Sequence, residues 1–192
     1  MRKIKTIFER DWNGNGLITT DRGQGVDMEL LQSATATEKL DGTNVRITVR
    51  AKTVVRAEKR RNPKPEQKSV GIIDPWYVDA SEKSPEDKWV FEGIANTDFS
   101  VVPDGEWSGE LVGPAVRANP LKLETHRIVF FTIGQAPVFE DVPTDYEGLK
   151  EWLPAQKSKY GNDCGIEGIV WHCTNGEMYK IKTGDFRRLL DK

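Results

Sequence analysis

Seven short runs in this chain are rich in β-branched or aromatic residues and tend to alternate apolar with polar positions: Ala34–Lys39, Asn44–Ala51, Val54–Glu58, Glu106–Val112, Arg127–Ile133, Ile166–Thr174 and Glu177–Lys182. Turn-forming residues lie near each of them, which is the pattern of strands rather than helices. Two stretches read as helical. One opens at Ser84-Pro85-Glu86-Asp87, a cap residue followed by proline and two acids. The other begins near Asp145, with Tyr146, Leu149, Trp152 and Leu153 on one face and Pro154 placed to end or kink it. These signals predict an α+β domain of mostly antiparallel strands.

A chain of 192 residues can bury a proper core without disulfide or metal staples. Arg60–Gln67 and Val102–Gly105 read as loops rather than linkers, so the expectation is one unit over residues 1–192. The net charge of −2 confines any nucleic-acid surface to a local patch. The basic start lacks the apolar run of a signal peptide and no segment has the length of a membrane span, so a cytoplasmic protein with no membrane contact is expected. Cys164 and Cys173 have no metal-ligand spacing and read as idle thiols. His126 and His172 share no metal or catalytic spacing and read as structural.

Two turns carry the chemistry. Asn175-Gly176 predicts a two-residue hairpin that pairs Thr174 with Glu177, Trp171 with Lys180 and Ile169 with Lys182. Glu167, Lys180 and Lys182 then share one sheet face, and Ile166, Val170 and Ile181 the other. Two lysines two residues apart repel unless an anion lies between them. Glu167 supplies part of that anion and a phosphate would complete it; a solvated face with one exposed ion pair is the other reading. The stretch Glu38-Lys39-Leu40-Asp41-Gly42-Thr43-Asn44 predicts a second hairpin. Its four-residue turn pairs Lys39 with Asn44, Thr37 with Arg46 and Thr35 with Thr48. Ala34, Ala36, Val45, Ile47 and Val49 form the core stripe behind it, and Glu38 falls on that apolar side as a misfit.

In order, Lys39-Leu-Asp-Gly42, Gly109-Glu110-Leu-Val-Gly113, Ile128-Val-Phe-Phe131-Thr-Ile133, Glu167-Gly-Ile-Val170 and Lys180-Ile-Lys182 resemble the motifs of the covalent nucleotidyltransferase superfamily, which holds ATP-dependent DNA and RNA ligases and mRNA capping enzymes. Asp41-Gly-Thr-Asn44 and the stretch from Gly109 to Pro120 are most similar to RNA ligases, notably the RNA ligase 1 family. The motif that often ends Phe-Asp-Ile reads Phe131-Thr132-Ile133 here, and the chain ends soon after Lys182. The expectation is a single nucleotidyltransferase domain, ATP-grasp-like in architecture, with no C-terminal oligonucleotide-binding-fold domain.

The resemblance implies an ATP-dependent RNA ligase. Lys39 would attack the α-phosphate of ATP, expel pyrophosphate and become a lysyl-AMP. AMP would pass to an RNA 5′-phosphate, and a 3′-hydroxyl would then seal the strand. Only a neutral amine attacks, and lysine ordinarily titrates at about 10.4, so Lys180, Lys182 and a divalent metal are expected to crowd Lys39 with like charge. Lys180 and Lys182 would also bind phosphate oxygens. Glu110 and Glu167 would hold Mg²⁺ or Mn²⁺, and Asp41 would stabilise the turn. Glu38 is implied at the base edge and Phe131 as the stacking ring, with Phe130 its competitor, since adjacent strand residues face opposite ways. Asn44, Arg46 and Arg61 are implied nucleotide contacts, with Arg60 nearly as good as Arg61. Arg56, Lys59, Arg60, Arg61 and Lys64 form one basic cluster for RNA, and Arg187, Arg188 and Lys192 another. The alternatives are a DNA ligase or end adenylyltransferase, and a catalytically silent nucleotide- or RNA-binding module.

Overall fold

A computed structural model describes residues 3–131 and 134–186 of the chain. The elements in order are β1 (Lys5–Thr6), β2 (Phe8–Arg10), β3 (Ile18–Arg22), α1 (Met28–Gln32), β4 (Thr35–Glu38), β5 (Thr43–Arg50), β6 (Thr53–Arg61), α2 (Pro65–Ser69), β7 (Trp76–Asp79), α3 (Lys88–Ala95), β8 (Gly105–Val112), β9 (Arg127–Phe130), β10 (Val138–Phe139), α4 (Tyr146–Ala155), β11 (Gly168–His172) and β12 (Met178–Lys182). The α+β reading with mostly antiparallel strands holds. All seven expected strands are present, with small differences at their ends. Arg60–Gln67 is not simply a loop: β6 runs to Arg61 and α2 starts at Pro65.

The described residues divide into two compact units. Residues 41–135 make the first, and residues 4–40 with those from 136 onward make the second.

In the first unit five antiparallel strands lie in the order β7-β6-β5-β8-β9. Val45, Ile47 and Val49 of β5 are fully buried and pack with Ala57, Leu111, Ile128, Phe130 and Val90 of α3. The alternation read in β5 therefore does put one face into a core, leaving Asn44, Arg46 and Thr48 on the other. The predicted helix start at Ser84 is a 3₁₀ turn, Pro85–Asp87, that runs into α3.

In the second unit the sheet order is β1-β12-β11-β4-β10, with β2 and β3 pairing separately. β1 runs parallel to β12 and the remaining pairs are antiparallel. Ile169, Trp171, Tyr179 and Ile181 point into a core that Leu149 and Leu153 of α4 complete. Asp145 caps α4 by accepting from Gly148 N–H at 2.8 Å, and Pro154 sits in its final turn.

Both predicted hairpin registers are corrected. Gly176 N–H donates to Cys173 O at 3.0 Å and Cys173 N–H to Glu177 O at 2.9 Å, so the loop is three residues long. Gly176 carries the positive φ of 84° and Asn175 does not. A two-residue type I′ turn needs φ > 0 at both positions, whereas a type I turn followed by a left-handed glycine needs it once. The register slips by one: Trp171 pairs with Tyr179 and Ile169 with Ile181, while Val170 lies opposite Lys180 and Gly168 opposite Lys182. Val170 thus shares the lysine face, and Trp171 is core.

The Glu38–Asn44 stretch is no hairpin at all. β4 pairs with β11 and β10, and β5 pairs with β6 and β8, in different sheets. The apolar stripe is accordingly split, with Ala36 in one core and Val45, Ile47 and Val49 in the other.

Candidate active site

The second unit carries the lysine. β4 ends at Glu38, and Lys39 N–H donates to Gly168 O at 2.9 Å, so β11 fixes the backbone of the residue that follows the strand. The Lys39 ammonium bonds Glu167 Oε2 at 2.5 Å, and Lys182 Nζ lies 2.6 Å from Glu167 Oε1. One carboxylate thus bridges two lysines drawn from strands far apart in sequence. The expected like-charge crowding of Lys39 is mediated by an anion. Lys180 lies two residues along β12 from Lys182 and shares its sheet face.

Glu38 is 3% exposed, on the apolar side where it looked misplaced. Both its oxygens are engaged: Ser158 Oγ donates to Oε1 at 2.5 Å and Lys159 N–H to Oε2 at 2.8 Å. Ser158 Oγ in turn accepts from Tyr160 and Gly161 N–H groups at 3.1 and 2.7 Å. A buried carboxylate needs such donors, and these pin the 158–161 turn. Beside it, Thr37 Oγ1 donates to Val170 O at 3.3 Å and lies 3.0 Å from His172 Nε2. Burial pushes the His172 imidazole down from its ordinary range.

The first unit carries a polar sheet face. Arg46 binds Glu58 through both Nε and Nη2, at 2.6 and 2.7 Å, and its guanidinium lies 4.4 Å from the centre of the Tyr77 ring. The hydrogen bonding that Arg46 donates to Glu58 raises the Arg46 pKa further. Tyr77 donates to Asn44 Oδ1 at 2.7 Å, and Asn44 Nδ2 donates to Gly109 O at 3.4 Å. Glu110 Oε1 accepts from Gly42 N–H at 3.2 Å, so a motif carboxylate holds the backbone of the Asp-Gly turn.

The two phenylalanines are separated. Phe130 is fully buried and meets Phe99 edge-on at 5.9 Å. Phe131 continues the β9 pairing, its N–H donating to Ser108 O at 3.2 Å, and is half-buried. Thr132 and Ile133 of that motif, like Arg187, Arg188 and Lys192, lie outside the described residues.

Of the basic cluster, Arg56 pairs with Asp79 and Glu58, Lys59 with buried Asp87, and Arg61 with Glu86 at 3.7 Å. Arg60 lies opposite Tyr77 and Arg61 opposite Trp76 in the β6–β7 register. Arg60 therefore shares the sheet face of Tyr77 and Arg46, and Arg61 occupies the reverse. Arg60 Nε is a buried donor with no acceptor among the described residues.

Glu58 and Tyr77 are site-face residues that the sequence did not disclose. Tyr77 sits on a four-residue strand just after Gly71 and Pro75, too short for alternation to register. No group of three or more histidine, cysteine or acidic side chains is arranged to hold a metal among the described residues. No helix there is long and apolar enough to cross a membrane.

Comparison with known proteins adds an independent line. The RNA ligase 1 family model matches residues 104–187. No curated protein matches the chain. Among solved structures, an apo mutant of the Naegleria gruberi RNA ligase superposes with a TM-score of 0.53 at 13% identity, covering 99% of this chain and 62% of that one. The same ligase with PPi gives 0.50 at 12% identity, covering 95% and 61%. A mutant with ATP and Mn gives 0.50 at 13%, covering 96% and 62%. This chain spans about three fifths of the ligase it matches. In its ordered motifs, its family match and its fold, the chain is similar to the nucleotidyltransferases of the ATP-dependent RNA ligases, with RNA ligase 1 as the matching family.

Proposed function

We propose that the protein is an ATP-dependent RNA ligase, organised as a single nucleotidyltransferase domain of ATP-grasp-like architecture, that forms a lysyl-AMP on Lys39. The observation that carries this reading is the bridge Lys39–Glu167–Lys182, which draws three separately predicted motif residues together. Glu167 Oε2, 2.5 Å from Lys39 Nζ, is within proton-transfer distance of the amine that must become neutral to attack. Transfer of a proton from the Lys39 ammonium to Glu167 Oε2 leaves the nitrogen lone pair free for the α-phosphate of ATP. Pyrophosphate leaves, and Lys180 and Lys182 offset the charge that builds on it. The 5′-phosphate of an RNA end then takes the AMP, and a 3′-hydroxyl displaces it to close the phosphodiester.

By family position Asn44, Arg46 and Phe131 attend the nucleotide. Arg60 takes the role implied for Arg61, because it shares the sheet face of Arg46 and its orphaned buried donor favours an anionic oxygen. Glu38 serves the nucleotide through the turn it pins. Glu110 and Glu167 are each a carboxylate donor of the kind that Mg²⁺ or Mn²⁺ takes, with water and phosphate oxygens completing the ion's shell. When bound, the ion would offset phosphate charge.

The test is direct. Incubation with α-labelled ATP and a divalent ion, followed by a denaturing gel, should give a labelled protein band that Lys39→Ala abolishes. A wild type without label, or a Lys39→Ala protein that labels equally, refutes the reading. Matched RNA and DNA ends then decide which nucleic acid is sealed.

A further inference from the structure

The stretch from Gly113 to Pro120 holds three consecutive non-glycine residues in the left-handed region: Arg117, Ala118 and Asn119, with φ of 51°, 59° and 54°. Left-handed backbone is strained for L-residues, so the run persists only because its surroundings impose it. Those surroundings are explicit. Val116 N–H donates to Gly113 O at 3.1 Å and Asn119 N–H to Val116 O at 2.8 Å. The Asn119 amide bonds Leu123 in both directions at 2.9 Å. Ala115 N–H donates to Nε2 of His126 at 3.1 Å, and the other ring nitrogen donates to Glu92 at 2.9 Å. His126 is itself buried and stacks on Trp89 at 4.7 Å.

This bracing presents the exposed side chain of Arg117. Its Nε donates to Gly42 O at 3.2 Å, the carbonyl of the same glycine whose N–H is held by Glu110. Its two Nη groups have no acceptor among the described residues. A guanidinium pinned through Nε is a fixed plane with its fork turned outward, the geometry that two oxygens of a phosphate match. We propose that Arg117 is a phosphate-binding residue, which grips a phosphate beside Asp41-Gly42. This rests on the ligase reading, and two sources supply that chemistry: the 5′-phosphate of the RNA end and the triphosphate of ATP.

The half-reactions separate the two sources. One assay follows transfer of label from ATP to the enzyme; the other follows transfer from pre-adenylylated enzyme to a 5′-phosphorylated RNA oligonucleotide. Arg117→Ala should slow one of them by about tenfold to a hundredfold, the loss expected for hydrogen bonds to a charged group. Loss in the second assay assigns the RNA phosphate, and loss in the first assigns the triphosphate. Wild-type rates in both overturn the proposal. Arg117→Lys keeps the charge and a donor for Gly42 O without the fork; full activity in that variant would show a clamp for the turn and equally overturn it.

A measurement on the wild-type protein guards against misfolded variants and stands apart from catalysis. Modification of Arg117 by phenylglyoxal, read by mass spectrometry, should be suppressed by ATP or by 5′-phosphorylated RNA but not by 5′-hydroxyl RNA. Equal modification under all conditions refutes phosphate binding. If the wild type takes no label, the ligase reading falls while this footprint still decides the role of Arg117.

Discussion

Arg46→Ala should destabilise the protein through Glu58 rather than through any lost ligand. Glu58 is 1% exposed, and Arg46 supplies its Oε2 with a donor at 2.6 Å and its Oε1 with one at 2.7 Å. Truncation strips Oε2 of that guanidinium and leaves Oε1 the Arg56 contact at 3.1 Å, from a side chain 52% exposed and shared with Asp79. Removing one partner of a buried ion pair costs about 3–5 kcal/mol, and the surviving Arg56 contact argues for the low end, about 3 kcal/mol. For a protein of this size a kcal/mol moves the melting temperature by about 2–4 °C, so a fall of about 6–12 °C is expected. Removing both partners in Arg46→Met/Glu58→Leu takes the unpaired charge away and should recover most of it. Thermal unfolding by circular dichroism reads both variants. A single variant melting within about 2 °C of wild type, or a double variant less stable than the single one, refutes the reasoning. ATP labelling of the stabilised double variant then reports any direct nucleotide role of Arg46.

Three further outcomes are expected. Glu38→Ala should remove the two donors' shared anchor and cost about 2–4 kcal/mol in urea unfolding, with amide exchange accelerating at residues 158–161 first; unchanged exchange there sinks the idea. His172 is held down by burial, so the unfolded chain takes up its proton first as the solution is acidified. Stability from this group is full above about pH 6.5 and declines as pH falls through the lower folded value, and His172→Gln should flatten that slope in a pH series of melts. Gly113→Ala should cost about 2 kcal/mol or more, because φ is 144° and an added Cβ would lie 2.6 Å from His126 Cα; a wild-type melting curve would contradict it.

What the sequence disclosed follows from the range over which its signals act. Val45, Ile47 and Val49 declare a buried face through alternation alone, and Asp145 with Tyr146, Leu149 and Leu153 declares a capped helix, because both patterns are local. The Glu38–Asn44 stretch misled for the same reason. Two adjacent strand-like runs with Asp-Gly between them satisfy every local requirement of a hairpin, yet β4 finds its partner in β11, far along the chain. The slip at Asn175-Gly176 turned on one dihedral angle at Asn175, which residue type does not fix. Lengths of two or three residues hid β1, β2 and β10. Of the site, the motif order named Lys39, Glu167 and Lys182 before their contacts were known, whereas Glu58 and Tyr77 acquire meaning only through cross-strand neighbours.

The pairing of β4 with β11 also sets a timetable for synthesis. Residues 41–135 have their sheet partners nearby and can condense as they leave the ribosome, but Lys39 must wait, exposed, until Gly168 and Lys182 have been translated. A nascent or truncated chain lacking that late segment holds Lys39 without the carboxylate that bridges it to Lys182. If the proposed ligase reading holds, labelling by ATP is withheld until this segment has been translated.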